Sequence, residues 1–118
     1  MGKPEPLARV NRGEIWLHTF RPPDKRRPVV VLSRQGAIPR LSTVIVAPIT
    51  STIRGLASEV PVGDREGLKH PSVVNLDHLF TIPQSQLERY VGHLDESSME
   101  LVCRSLAVSL GCDYSLGS

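Results

Sequence analysis

Cysteine and aromatic residues are scarce in this chain, which holds two Cys, one Trp, two Tyr and two Phe among 118 residues. The cysteines, Cys103 and Cys112, match neither a zinc ribbon nor a redox CxxC pair, so a reducing, cytoplasmic setting is the simpler expectation. No stretch approaches the roughly 20 apolar residues that a membrane span requires, and the first residues, MGKPEPLARVNRGE, lack an apolar signal core. A chain without membrane association or processing is therefore expected. The four histidines, His18, His70, His78 and His93, are scattered, with no HExxH pattern and no His/Cys cluster, so no metal site is expected. Residues 63–67 lack the GK[ST] ending of a phosphate loop, and no other cofactor motif is present.

With 40% apolar residues, the chain is long enough for one compact core and too short for two ordinary domains. Two prolines and mixed charge near the start predict an irregular arm over residues 1–10, followed by a single domain over 11–118. The net charge of +2 is small but unevenly placed. Residues 1–40 hold nine Lys/Arg against three Asp/Glu (9 − 3 = +6), and residues 41–118 hold five against nine (5 − 9 = −4). The basic part could meet phosphate, or it could simply solubilise strand ends.

Short β-branched runs bounded by turn residues dominate the first three-quarters of the chain. Strands are predicted over residues 13–20, 28–32, 43–50 and 90–94, with a short edge strand containing Pro61 over 58–62. Residues 72–76 and 79–82 read as two strands or one bent strand. One helix follows Asp95, which is placed as N-cap with Ser98 three residues on, and Gly111 sits where the helix should stop. Met99, Val102, Cys103, Leu106 and Leu110 form its apolar stripe, which makes Cys103 a core residue. The predicted class is mainly β with a C-terminal helix (α+β), a small SH3-like barrel.

If strands 28–32 and 43–50 are antiparallel neighbours, the basic run Lys25-Arg26-Arg27 before the first meets Thr50-Ser51-Thr52 at the end of the second. A guanidinium offers a planar charged fork to a phosphodiester, and hydroxyls can hold a non-bridging oxygen without bringing competing charge. The same residues also serve as ordinary turn chemistry, so this pattern alone decides nothing.

An ordered set of motifs goes further. Arg12-Gly13-Glu14-Ile15-Trp16 is similar to the RG[DE][IV][WY] opening of the MazF/PemK toxins, and Lys25-Arg26-Arg27-Pro28-Val29-Val30-Val31 to their [KH]RPxVV. Val46-Ala47-Pro48-Ile49-Thr50-Ser51 resembles their VxPxT[ST]. Ser72-Val73-Val74-Asn75-Leu76-Asp77 with Thr81-Ile82, and Val91-Gly92-His93-Leu94, resemble later family segments, so that the likeness covers about residues 11–111. It implies an SH3-like (CcdB-like) barrel that forms a homodimer, cuts single-stranded RNA at short motifs without metal or cofactor, and is silenced by a cognate MazE-type antitoxin. The catalytic arginine of the family falls on Arg27 and its catalytic threonine on Thr50. Lys25, Arg26, Ser51, Thr52, Asn75, Asp77 and His78 are the residues it implies for RNA contact. The loop before Arg27 is shorter than in many members and holds no matching acidic stretch, Asp24 being the nearest carboxylate. Two other readings share the barrel: a toxin that binds gyrase and a non-catalytic RNA-binding barrel. Neither requires the Arg27–Thr50 pair.

Overall fold

The computed structural model describes residues 10–112, so the arm expected over 1–10 lies outside them except for Val10, which is buried. The described residues form seven strands: β1 (Glu14–Thr19), β2 (Arg26–Val31), β3 (Thr43–Thr50), β4 (Glu59–Val62), β5 (Ser72–Asn75), β6 (Phe80–Pro83) and β7 (Arg89–His93). One helix, α1 (Glu96–Ser109), follows them. The strands pair in the order β4-β5-β3-β2-β1-β7, and β6 also pairs with β3. Strands β5 and β6 are thus separate, because β3 serves both: Thr43–Val46 faces β6, and Ile49 and Thr50 face β5. This division curls the sheet into a half-barrel, with the Pro61-containing β4 at one edge as its missing N–H requires.

Two glycines let the ends of the curl approach without a ladder. A Cβ on Gly92 of β7 would lie 2.0 Å from the Glu66 carbonyl oxygen, and one on Gly67 2.5 Å from that of Val91. Gly67 also has a φ of +93°, which favours glycine on its own account.

Strand periodicity sorts the core into two clusters. Val30, Ala47, Ile49 and Val74 share one face with Ile15, and α1 covers it through Val102, with Met99 and Leu106 packed alongside. Trp16, Val29, Val31, Val44, Val46 and Ile82 form the second cluster on the opposite face. The helix begins as predicted, with Asp95 Oδ1 accepting the Ser98 N–H at 2.8 Å, and it ends in a Schellman turn at Gly111, φ +72°. There the Cys112 N–H donates to the Ala107 carbonyl at 2.8 Å and the Gly111 N–H to that of Val108 at 3.1 Å.

The apolar stripe of α1 is narrower than its periodicity predicts. Cys103 is exposed, not core, and Leu110 at the C-cap is exposed as well. The contact line is Met99, Val102 and Leu106. Cys103 is rotated to its margin, where Arg12 reaches across to bond both the Leu32 carbonyl and the Cys103 sulfur, the latter at 3.2 Å. No helix among the described residues is long and apolar enough to cross a membrane.

Candidate functional site

Strands β2 and β3 are antiparallel, with Val31 opposite Val46, Val30 opposite Ala47 and Val29 opposite Pro48. Continuing this register by two residues sets Arg27 across from Thr50, on the face that carries the second cluster. Along each strand the two-residue period runs from core to site: Val31-Val29-Arg27, Val44-Val46-Pro48-Thr50 and Trp16-His18-Phe20. Burial fades over the same steps, since Val29, Val31, Val44 and Val46 are buried while Arg27, Thr50 and Phe20 are only half-buried. The site is the open end of a hydrophobic layer.

Two depressions meet at this end, and Arg27, Thr50 and Thr52 line both. The first, of about 330 Å³, adds Phe20, Asp24, Pro48, Arg54, Glu59, Asn75, His78 and Phe80. The second adds Lys25, Pro28, Ser51, Lys69 and His70, and no carboxylate lines it. Charge is therefore mixed on one side of the Arg27–Thr50 ridge and uniformly basic on the other.

Local hydrogen bonds prepare the ridge. The Thr50 hydroxyl oxygen accepts the Thr52 N–H at 3.1 Å, which fixes its position and leaves its proton available to an incoming oxygen. Among the described residues Arg27 forms no ion pair, so its fork is not committed to a carboxylate. Glu59 is committed: its Oε1 accepts the N–H groups of Arg54, Gly55 and Leu56 at 3.1, 2.8 and 3.2 Å. It ties down the loop that carries Thr52 and Arg54 to the first depression.

The residues named from sequence do not all converge. Arg27, Thr50, Thr52, Asn75 and His78 line the first depression, and Lys25 and Ser51 the second. Arg26 lines neither, because adjacent residues of a strand point to opposite faces; its Nε pairs with Glu88 Oε1 at 3.1 Å. Asp77 is absent from both as well: it accepts the hydroxyl of Ser58, just before β4, while its N–H donates to Asn75 Oδ1 at 3.0 Å. Asp24, the nearest carboxylate before Arg27, does reach the first depression.

Sequence reasoning missed Phe20, Arg54, Glu59, Phe80, Lys69 and His70. The two phenylalanine rings are in tilted contact, with centroids 4.8 Å and planes 53° apart. His18 is buried, its Nδ1–H donating to the Gln86 carbonyl at 3.2 Å, and its ring meets Phe20 edge-on at 4.5 Å. Among the described residues no group of three or more His, Cys, Asp or Glu is gathered as for a metal ion.

Comparison with known proteins places this geometry in context. Residues 11–110 match a family model described as the PemK-like, MazF-like toxin of type II toxin–antitoxin systems. The chain is 44% identical over 91 residues to endoribonuclease MazF3 of Mycobacterium tuberculosis, covering 77% of this chain and 88% of that protein. Its fold superposes on the Mycobacterium tuberculosis toxin MazF-mt6 with a TM-score of 0.78 at 41% identity, covering 85% of this chain and 98% of that one. A mycobacterial endoribonuclease in complex with its cognate antitoxin shares the fold at 22% identity and a TM-score of 0.76, covering 86% and 95% of the respective chains.

Proposed function

The chain belongs to the PemK-like, MazF-like toxins of type II toxin–antitoxin systems, and from that membership we propose that Arg27 and Thr50 together activate the phosphodiester it cuts. It is an endoribonuclease toxin of this family. The observation that supports the assignment is the β2–β3 register, which carries a guanidinium free of ion pairs among the described residues to the strand position opposite a pre-positioned hydroxyl.

The nucleophile is the 2′-OH of the RNA itself. It attacks the adjacent phosphorus and gives up its proton to solvent, the bond to the 5′-oxygen breaks, and that oxygen takes up a proton from solvent, so that the products are a 2′,3′-cyclic phosphate and a 5′-OH. A guanidinium is a permanent cation and a poor base, so Arg27 acts by neutralising charge that builds on the phosphorane oxygens and by hydrogen-bonding to the departing 5′-oxygen. The Thr50 hydroxyl donates to a non-bridging oxygen and holds the phosphate in line. Because the attacking group belongs to the substrate, the scheme needs no metal, and DNA, which lacks the 2′-OH, is spared.

The substrate is single-stranded RNA, laid across the ridge with backbone phosphates toward Lys25, Lys69 and His70. The working unit is a homodimer in the cytoplasm, held inactive by a MazE-type antitoxin, a partner class that the antitoxin complex of a mycobacterial endoribonuclease of the same fold supports. An acidic segment of such a partner would compete with RNA for the basic depression.

Purified protein incubated with mixed RNA in EDTA tests the reading. Cleavage should persist and leave cyclic-phosphate ends; intact RNA, or 3′-OH ends, would overturn it. A gyrase-binding toxin or a non-catalytic RNA-binding barrel would leave the RNA whole.

A further inference from the structure

Two phenylalanines in tilted contact, both lining one depression, need a reason in a chain that contains only two. Phe20 leaves the end of β1, Phe80 begins β6, and they meet through the fold 60 residues apart in sequence. Phe80 opposes Val46 in the β3–β6 ladder, so it stands on the same sheet face as Arg27 and Thr50. It nevertheless keeps 38% of its surface in solvent. The tilted contact with Phe20 accounts for part of the ring. It leaves the rest open to the depression that Arg27 and Thr50 also line.

We propose that this depression is a nucleobase subsite, in which the base next to the scissile phosphate stacks on Phe80. The proposal rests on the ribonuclease reading above and gives its site a second half. Three features converge on a flat, polar-edged ligand rather than on an aliphatic one. The floor is aromatic, and aromatic rings recognise any base through its π-face. The volume, about 330 Å³, sits at the low end for small-ligand pockets and suits one base rather than a run of them. Polar groups stand around the ring. Asn75, which lines the depression, has its Oδ1 taken by the Asp77 N–H, so the amide protons are the groups it has left to offer a base edge.

The contrast with the second depression sets which side of the ridge takes a base and which a phosphate. No phenylalanine, tyrosine or tryptophan among the described residues lines that one, and its permanently cationic side chains are Lys25, Arg27 and Lys69, with the His70 imidazole beside them. A nucleotide on that side is held by its phosphate, and the nucleotide on the Phe80 side by its base. The scissile phosphate lies between them on the ridge.

The test uses an RNA spanning the mapped cleavage site, made non-cleavable by a 2′-deoxy substitution at the attacking nucleotide, with a single abasic residue walked through the surrounding positions. Phe80→Ala should weaken binding of the intact strand about ten-fold or more. An abasic residue at one position adjoining the scissile phosphate should weaken wild-type binding by a similar factor, and the two losses should not multiply. Phe80→Leu, which keeps apolar packing on Phe20 but removes the ring, should behave as Phe80→Ala, and Phe80→Tyr should bind as wild type. Losses that multiply at every position, or an intact strand bound equally by Phe80→Leu and wild type, would overturn the subsite. Wild-type protein that cuts no RNA at all is a different failure and strikes the ribonuclease reading itself.

Discussion

The two faces of the central sheet are built from alternate residues of the same strands, yet they end in different ways. On the helix side, Ile15, Val30, Ala47, Ile49 and Val74 are buried, and α1 and β4 close over them. On the other side the alternation continues past its last buried valines into Arg27 and Thr50, which line an open depression with no described element laid over it. One face is sealed and the other opens. The functional groups therefore need no special loop architecture to meet; the register that pairs Val29 with Pro48 carries them to each other. Rigidity comes from the valines, and chemistry from the residues two steps further along.

The sharpest way to break this contrast is at the open end. Arg27→Lys keeps the charge but loses the fork that can hold two oxygens, so RNA cleavage should fall about 100-fold or more with folding unchanged. Single-turnover rates together with the thermal melt measure both. Normal cleavage by this variant would remove Arg27 from the chemistry.

Thr50→Val should cost less, about ten-fold or more in the cleavage step, because it removes one hydroxyl and retains the shape. RNA binding should change little, since the hydroxyl is proposed to act on charge that develops only in the transition state. A loss confined to affinity would make Thr50 a binding group.

At the sealed face the same comparison predicts the opposite phenotype. Ile15→Val deletes one buried methylene and should destabilise the fold by about 1 kcal/mol while the chemical step continues at its normal rate, read below the melting transition. Slower chemistry at full occupancy would show that the two faces are coupled rather than separate.

Arg26 and Lys25 repeat the contrast within a single run. Lys25→Ala should lower the salt dependence of RNA binding by about 0.7 in the log–log slope, the share of one single-strand phosphate contact. Arg26→Ala should leave that slope alone, because Arg26 faces Glu88 away from both depressions. Equal slope changes would mean that RNA wraps further round the barrel than the ridge.

Much of this was legible in the sequence where the signal is local. The β-branched run Thr43–Thr50 became a strand with those bounds, and Asp95 with Ser98 marked the helix start, because strand propensity and capping act within a few residues. The Arg27–Thr50 encounter was also readable, needing only an antiparallel pairing. Arg26 could have been set aside on the same ground, since a residue next to Arg27 in a strand must face the other way. The Phe20–Phe80 contact, the arrival of Lys69 and His70 beside Lys25, and the Glu59 carboxylate that gathers three loop N–H groups depend on how the sheet curls, and no short-range pattern encodes that curl. Cys103 was misplaced because a helical stripe gives a direction and not a width; Arg12, 91 residues away, occupies its margin.

The smallest predicted effect lies far from the ridge, at the helix start, and probes whether the sealed face depends on charge at all. The Asp95 carboxyl is held below its ordinary value, chiefly by the Ser98 backbone N–H, then by the Ser98 and Ser97 side chains, with Arg65 adding attraction at 3.8 Å. A group with a depressed folded-state pKa stabilises the protein fully above its unfolded value, about 3.9, and the contribution is lost as pH falls through the folded value. Asparagine caps a helix nearly as well but carries no charge to favour the positive helix end. Wild type should therefore be slightly more stable than Asp95→Asn at pH 7, and the difference should shrink as pH drops below about 4, where the wild-type carboxyl takes up its proton. Cleavage at pH 7 should be the same for both. Melting curves across that range decide it: a difference that stays constant with pH would assign the cap to hydrogen-bond geometry alone, with no part for the carboxylate charge.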